Sequence, residues 1–211
     1  MIFYKYDLIH VHIPKTAGAS IETYLWPDRK TRSKRDLWQG QNDEGVNKYQ
    51  IGGLQHLKAK HIQSEVGEEI FENFFKFAFV RNPWDRLVSQ YEFCKKRKDL
   101  MSLLDININS PFDEYLEKIQ IHSHIQWERQ VDFIYDDVQK CLVDFVGKYE
   151  TLISDFQRLV DENHFPIFEY TLPHINKSLS RKPYRTYYNS FSKDLVNRLF
   201  YEDINCWSYK F

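Results

Sequence analysis

The chain is poor in cysteine: Cys94, Cys141 and Cys206 are widely spaced, odd in number and form no Cys-x-x-Cys pair. Nothing there supports a disulfide framework, and a reducing compartment with free thiols is the simplest expectation. Net charge is also lacking. Twenty-nine Lys and Arg stand against thirty Asp and Glu, for a formal −1. The molecule therefore has no polycation character, no nucleic-acid partner is expected, and any polyanion must be met by local patches. No apolar run approaches the roughly 18 to 20 residues of a membrane span, and residues 1–8 lack a signal-peptide pattern. Internal repeats and low-complexity segments are missing too. With 42% hydrophobic and 17% aromatic residues among 211, the chain can bury one substantial core, and a single domain over residues 1–211 is expected.

The most informative stretch is His10 to Ser20. A short apolar alternation (Leu8, Ile9, Val11, Ile13) runs into Pro14-Lys15-Thr16-Ala17-Gly18-Ala19-Ser20 and then into a helix-like run from Ile21 to Trp26. This order predicts strand, tight turn, helix. Backbone N–H groups converging at a helix start, together with the positive end of the helix dipole, hold an anion, most often a phosphate. Lys15 adds a mobile positive charge, while Thr16 and Ser20 add hydroxyls. In a Walker A loop glycines come first and Lys-Ser/Thr closes the motif; here the lysine leads and Gly18 follows.

A second signal lies at Phe74 to Tyr91. Its apolar first part predicts a strand buried on both faces at the centre of a parallel sheet. Pro83 then starts a helix, which leaves Arg81 at the carboxyl end of the strand, the edge at which open α/β sheets bind ligands.

Together these two segments resemble the nucleotide-binding motifs of sulfotransferases that use 3′-phosphoadenosine 5′-phosphosulfate (PAPS), and in particular the family that sulfates carbohydrates. The resemblance implies that residues 14–20 (Lys15, Thr16, Ala17, Gly18, Ala19 and Ser20 after Pro14) hold the 5′-phosphosulfate. It also implies that Arg81 and Ser89 hold the 3′-phosphate, with Asn82, Pro83, Asp85 and Arg86 bracing the turn. His56, just after Gly52-Gly53, corresponds to the family's base for the acceptor hydroxyl, a task that suits an imidazole near neutrality. Pro173 to Lys182 resembles the loop that closes over the nucleotide, with Ser178 and Arg181 carried across. The implied fold is an α/β, P-loop nucleotide-kinase-like three-layer sandwich, its mainly parallel sheet of about five strands flanked by helices.

The implied reaction is in-line sulfuryl transfer from PAPS to a carbohydrate hydroxyl, leaving 3′-phosphoadenosine 5′-phosphate (PAP) and requiring no metal. Lys15 would stabilise the leaving nucleotide. Two other readings are a nucleotide or sugar kinase on the related fold and a catalytically silent nucleotide- or glycan-binding protein. Because the phosphate loop begins about ten residues from Met1, a cytoplasmic, bacterial protein without an N-terminal anchor is expected.

The remaining stretches give coarser expectations. Residues 27–50, with Arg29, Lys30, Arg32, Lys34 and Arg35, read either as a solvated surface loop or as a rim for an acidic acceptor. Helical patterns run near Lys58–Glu65 and Glu68–Phe75, and Ser110 reads as the cap of a helix with Pro111 at its first position. Strand-like patterns cover Val131–Asp136 and Leu142–Tyr149, a helix follows Thr151, and one amphipathic helix spans Ser192–Trp207. His122 and His124 lack a carboxylate or cysteine at ligand spacing.

Overall fold

The structure, a computed structural model, describes residues 1–38, 49, 53–162, 172 and 181–211. In chain order its elements are β1 (Ile2–Phe3), β2 (Leu8–Val11), α1 (Gly18–Leu25), α2 (Ala59–Val66), α3 (Glu68–Asn73), β3 (Phe75–Val80) and α4 (Pro83–Cys94). There follow α5 (Lys98–Leu104), α6 (Phe112–Ile121), α7 (Val131–Ile134), β4 (Phe145–Lys148), α8 (Leu152–Glu162), α9 (Ser190–Leu199) and α10 (Tyr201–Cys206). The chain forms two compact units: Met1–Val80 with Asp132–Lys177, and Arg81–Val131 with Ser178–Phe211. None of the described helices is long and apolar enough to cross a membrane.

The first unit is built on a mixed, mostly parallel sheet of four strands in the order β1-β2-β3-β4. β1 is antiparallel to β2, and β2, β3 and β4 run parallel, with His10 opposite Phe77 and Phe79 opposite Gly147. Phe77 and Phe79 are fully buried with Ile21, Tyr24 and Leu25 of α1 and Phe156, Leu159 and Val160 of α8. Burying each such phenylalanine contributes about 1.5 to 3 kcal/mol. The glycine in β4 is a matter of space: a Cβ on Gly147 would stand 2.3 Å from the Phe79 ring. Lys76 is the one charged residue within β3, and its ammonium is satisfied by the Phe71 and Phe74 carbonyls and by Asp144.

The second unit has a helical core. Trp84, Leu87, Val88 and Tyr91 of α4 pack with Tyr115 and Leu116 of α6 and with Leu195, Val196 and Phe200 near the chain's end.

Several sequence expectations need correcting. Residues 131–134 are helical, not strand, and of 142–149 only Phe145–Lys148 joins the sheet. Among the described residues the sheet has four strands rather than five. The terminal helix is two, broken at Phe200. Ser110 does not cap α6; Pro111 stands at the cap, and the Ser110 hydroxyl accepts the Asn107 N–H instead. Arg32 is not solvated: it is buried, and its guanidinium donates to the Glu22 and Trp26 carbonyls at the end of α1.

Candidate functional site

In the first unit β2 ends at Val11, and residues 12–17 turn the chain into α1. Two non-glycine residues of this turn are left-handed, Lys15 at φ 70° and Ala17 at φ 76°. Each such residue costs roughly 1 to 2 kcal/mol, and strain of that kind persists only where the surroundings hold it. Here the Thr16 hydroxyl, fully buried, donates to the Ile13 carbonyl at 2.9 Å and closes the turn on itself. Ala17 occupies the N-cap position, where it offers no side-chain cap, and no acidic residue stands in the first turn. The N–H groups that open any helix thus suit an outside acceptor here, with the dipole favouring an anion.

His12 leads into this turn, and its ring fixes what Gly18 can be. A Cβ on Gly18 would lie 2.1 Å from the His12 imidazole. On the ring's other side Nδ1 stands 2.8 Å from Glu22 Oε1, so it cannot swing away without giving up that contact. Gly18→Ala is therefore expected to cost about 1 to 3 kcal/mol, read as a lower unfolding midpoint in urea. An unchanged midpoint would show that the ring relocates freely.

His56 closes a single 3₁₀ turn, Leu54–His56, and meets the same histidine. Its Nδ1 is 3.1 Å from the His12 carbonyl, and the two rings meet edge to face with centroids 4.6 Å apart. A carbonyl only accepts, so Nδ1 carries the proton and Nε2 keeps its lone pair. Burial, and then the charge of His12, lower the His56 pKa to about 3, so the ring is neutral at physiological pH. The structure therefore groups His56 with the loop's leading residue.

Behind the loop lies a cluster that sequence reasoning missed as a unit: His10, His12 and Glu22, all buried. Their potential ligand atoms lie within 4.8 Å of one another. The two imidazoles stack with planes 13° apart and centroids 5.3 Å apart, and both Nδ1 atoms face Glu22 Oε1, that of His10 at 3.4 Å and that of His12 at 2.8 Å. Burial lowers His10 to about pKa 4, while both histidines hold the Glu22 carboxyl well below its usual range against the opposing effect of its own burial. The sole sequence signal for this cluster was the His-x-His alternation on a strand.

A pH dependence of stability follows from His10. Its unfolded pKa is near 6.5 and its folded value lower, so the unfolded chain takes up the proton first. The contribution is complete above about pH 6.5 and is lost as pH falls toward 4, at up to about 1.4 kcal/mol for each pH unit crossed. Asp203, raised to about 6 by burial, works in the opposite sense. Urea midpoints of the wild type should therefore drop more between pH 7 and 5 than those of His10→Leu; parallel declines would refute this account.

The second unit holds the other candidates. Arg81 is the residue after β3, and the turn behind it is capped by Asn82, whose Oδ1 accepts from the Trp84 and Asp85 N–H groups, with Pro83 at the first helical position. The Arg81 guanidinium, 5% exposed, donates from Nε and Nη2 to Asp85 Oδ2 at 2.9 and 2.7 Å. Arg181 reaches the same carboxylate from the other side, Nη1 to Oδ1 at 2.7 Å. Two arginines that sequence reasoning placed on the nucleotide thus share one anion. Ser89 lies half-buried four residues beyond Asp85, one turn further along the same face of α4. Ser178 lies outside the described residues. Arg86 is fully buried, donates to the Glu128 carbonyl at 2.8 Å, and is lowered to about pKa 10 by burial.

A protein-family model described as "Sulfotransferase family" matches residues 1–210. A protein of Archaeoglobus fulgidus, described only as uncharacterized, is 30% identical over 110 residues, which is 52% of this chain and 84% of that protein. No solved structure matches significantly.

Proposed function

Since the chain belongs to the sulfotransferase family, we propose that it moves a sulfuryl group from PAPS to a hydroxyl of a carbohydrate acceptor. The observation that carries the choice of donor is the pair Arg81 and Arg181 converging on the Asp85 carboxylate. A kinase donor has no 3′-phosphate for such a pair to hold, and guanidinium forks match phosphate oxygens two by two.

In this reading the open start of α1 and Lys15 take the 5′-phosphosulfate, and Arg81, Arg181 and Ser89 take the 3′-phosphate. His56 Nε2 accepts the proton of the acceptor hydroxyl as its oxygen attacks sulfur. The bond from sulfur to the phosphate oxygen breaks, its electron pair leaves with PAP, and a sulfate ester forms. Lys15 and the loop amides steady the charge that grows on the departing oxygen, and loss of one such donor typically costs about 3 to 4 kcal/mol in the transition state. Positioning and charge stabilisation carry the rest, as in phosphoryl transfer.

Calorimetric titration with PAP, ATP and ADP tests the donor. Submillimolar or tighter binding that requires the 3′-phosphate is expected. Equal affinity for ADP and PAP would return the reading to a kinase.

A further inference from the structure

We propose that Gln130 is a positioning residue for Arg81, and that through it Asp203 of the C-terminal α10 sets the geometry of 3′-phosphate binding. This rests on the donor reading above.

The β3 ladder ends at Val80, opposite Lys148. At the next residue the side chain of Gln130 takes over the strand's role. Its Oε1 accepts the Arg81 N–H at 2.8 Å, and its Nε2 donates to the Arg81 carbonyl at 2.8 Å. One amide group thus pairs with both backbone groups of Arg81, as a neighbouring strand would. Two contacts on one residue's backbone fix the direction of its Cα–Cβ bond, and therefore where the guanidinium starts from.

Gln130 is itself held. It is fully buried, its own N–H donates to Asp203 Oδ2 at 2.9 Å, and its Nε2 lies 3.3 Å from the same oxygen. The Val131 N–H donates to Asp203 Oδ1 at 3.0 Å. Both carboxylate oxygens of a fully buried aspartate are thus committed to holding one glutamine and its neighbour in place. If the purpose were only to satisfy the Arg81 backbone, a bound water would serve. A side chain clamped at both ends supplies rigidity, which a binding arginine needs more than a structural one does.

The test compares PAP with adenosine 5′-phosphate, which lacks the 3′-phosphate, by calorimetry on the wild type, Gln130→Met and Gln130→Asn, with urea midpoints measured alongside. Gln130→Met keeps the volume and loses both bonds. Gln130→Asn keeps an uncharged amide but is one methylene shorter, which draws it back from the Arg81 N–H and carbonyl, so it remains informative if the methionine variant does not fold. The expected result is that the PAP preference falls roughly tenfold, about 1.4 kcal/mol, while affinity for adenosine 5′-phosphate stays nearly constant. A preference that persists in a folded variant, or affinities for both ligands that fall together with stability, overturns the positioning role. A wild type indifferent to the 3′-phosphate overturns the donor reading and this role with it.

Discussion

His56→Ala is expected to lower turnover on a carbohydrate acceptor by about 10² to 10⁴, the usual contribution of a positioned base, while PAP binding stays close to the wild-type value. The separation matters because the ring sits beside the loop's leading residue, so a general collapse there would weaken nucleotide binding as well. The pKa of about 3 reflects burial beside His12. A bound phosphosulfate brings negative charge alongside, and nearby anions raise the proton affinity of an imidazole. The low resting value keeps the lone pair available at all physiological pH values. Single-turnover rates with a defined acceptor, set beside calorimetry with PAP, check both halves of the expectation; near wild-type turnover removes His56 from the chemistry.

The second large effect is expected of Arg81→Ala. Removing one partner of a buried, hydrogen-bonded charge pair typically costs about 2 to 5 kcal/mol, which for PAP is a loss of more than an order of magnitude in affinity. The loss should be specific to the 3′-phosphate, leaving adenosine 5′-phosphate little affected. Arg81→Lys should recover only part of it, since an ammonium cannot grip two oxygens at once. Equal losses for the two nucleotides would mean that Arg81 supports the fold and not the ligand.

The segments proposed for these roles were the easiest to read because their signals are local. A turn opening directly into a helix declares itself within ten residues, and so does an apolar strand followed by Asn82 and Pro83. Residues 131–136 show the opposite case. The alternation Val-Asp-Phe-Ile-Tyr fits a strand as well as a short helix, and what selects the helix is Asp203 accepting the Val131 N–H from 72 positions away. Nothing near residue 131 announces that partner. Gln130 was invisible for the same reason, since a glutamine that pairs with a backbone 49 positions earlier looks like any polar residue. The break at Phe200 has no glycine or proline to mark it. Glu22 read as one polar position on a helix, and its burial against two histidines depends on the strand that α1 covers.

Asp85 has an entropic consequence. Long cationic side chains normally wander among rotamers, and ordering one at a binding site costs about 0.5 to 1.5 kcal/mol. By gripping Arg81 and Arg181 together, Asp85 keeps both guanidinia still before any anion arrives. On the proposed reading an incoming 3′-phosphate would meet two guanidinia already ordered and would share them with the carboxylate.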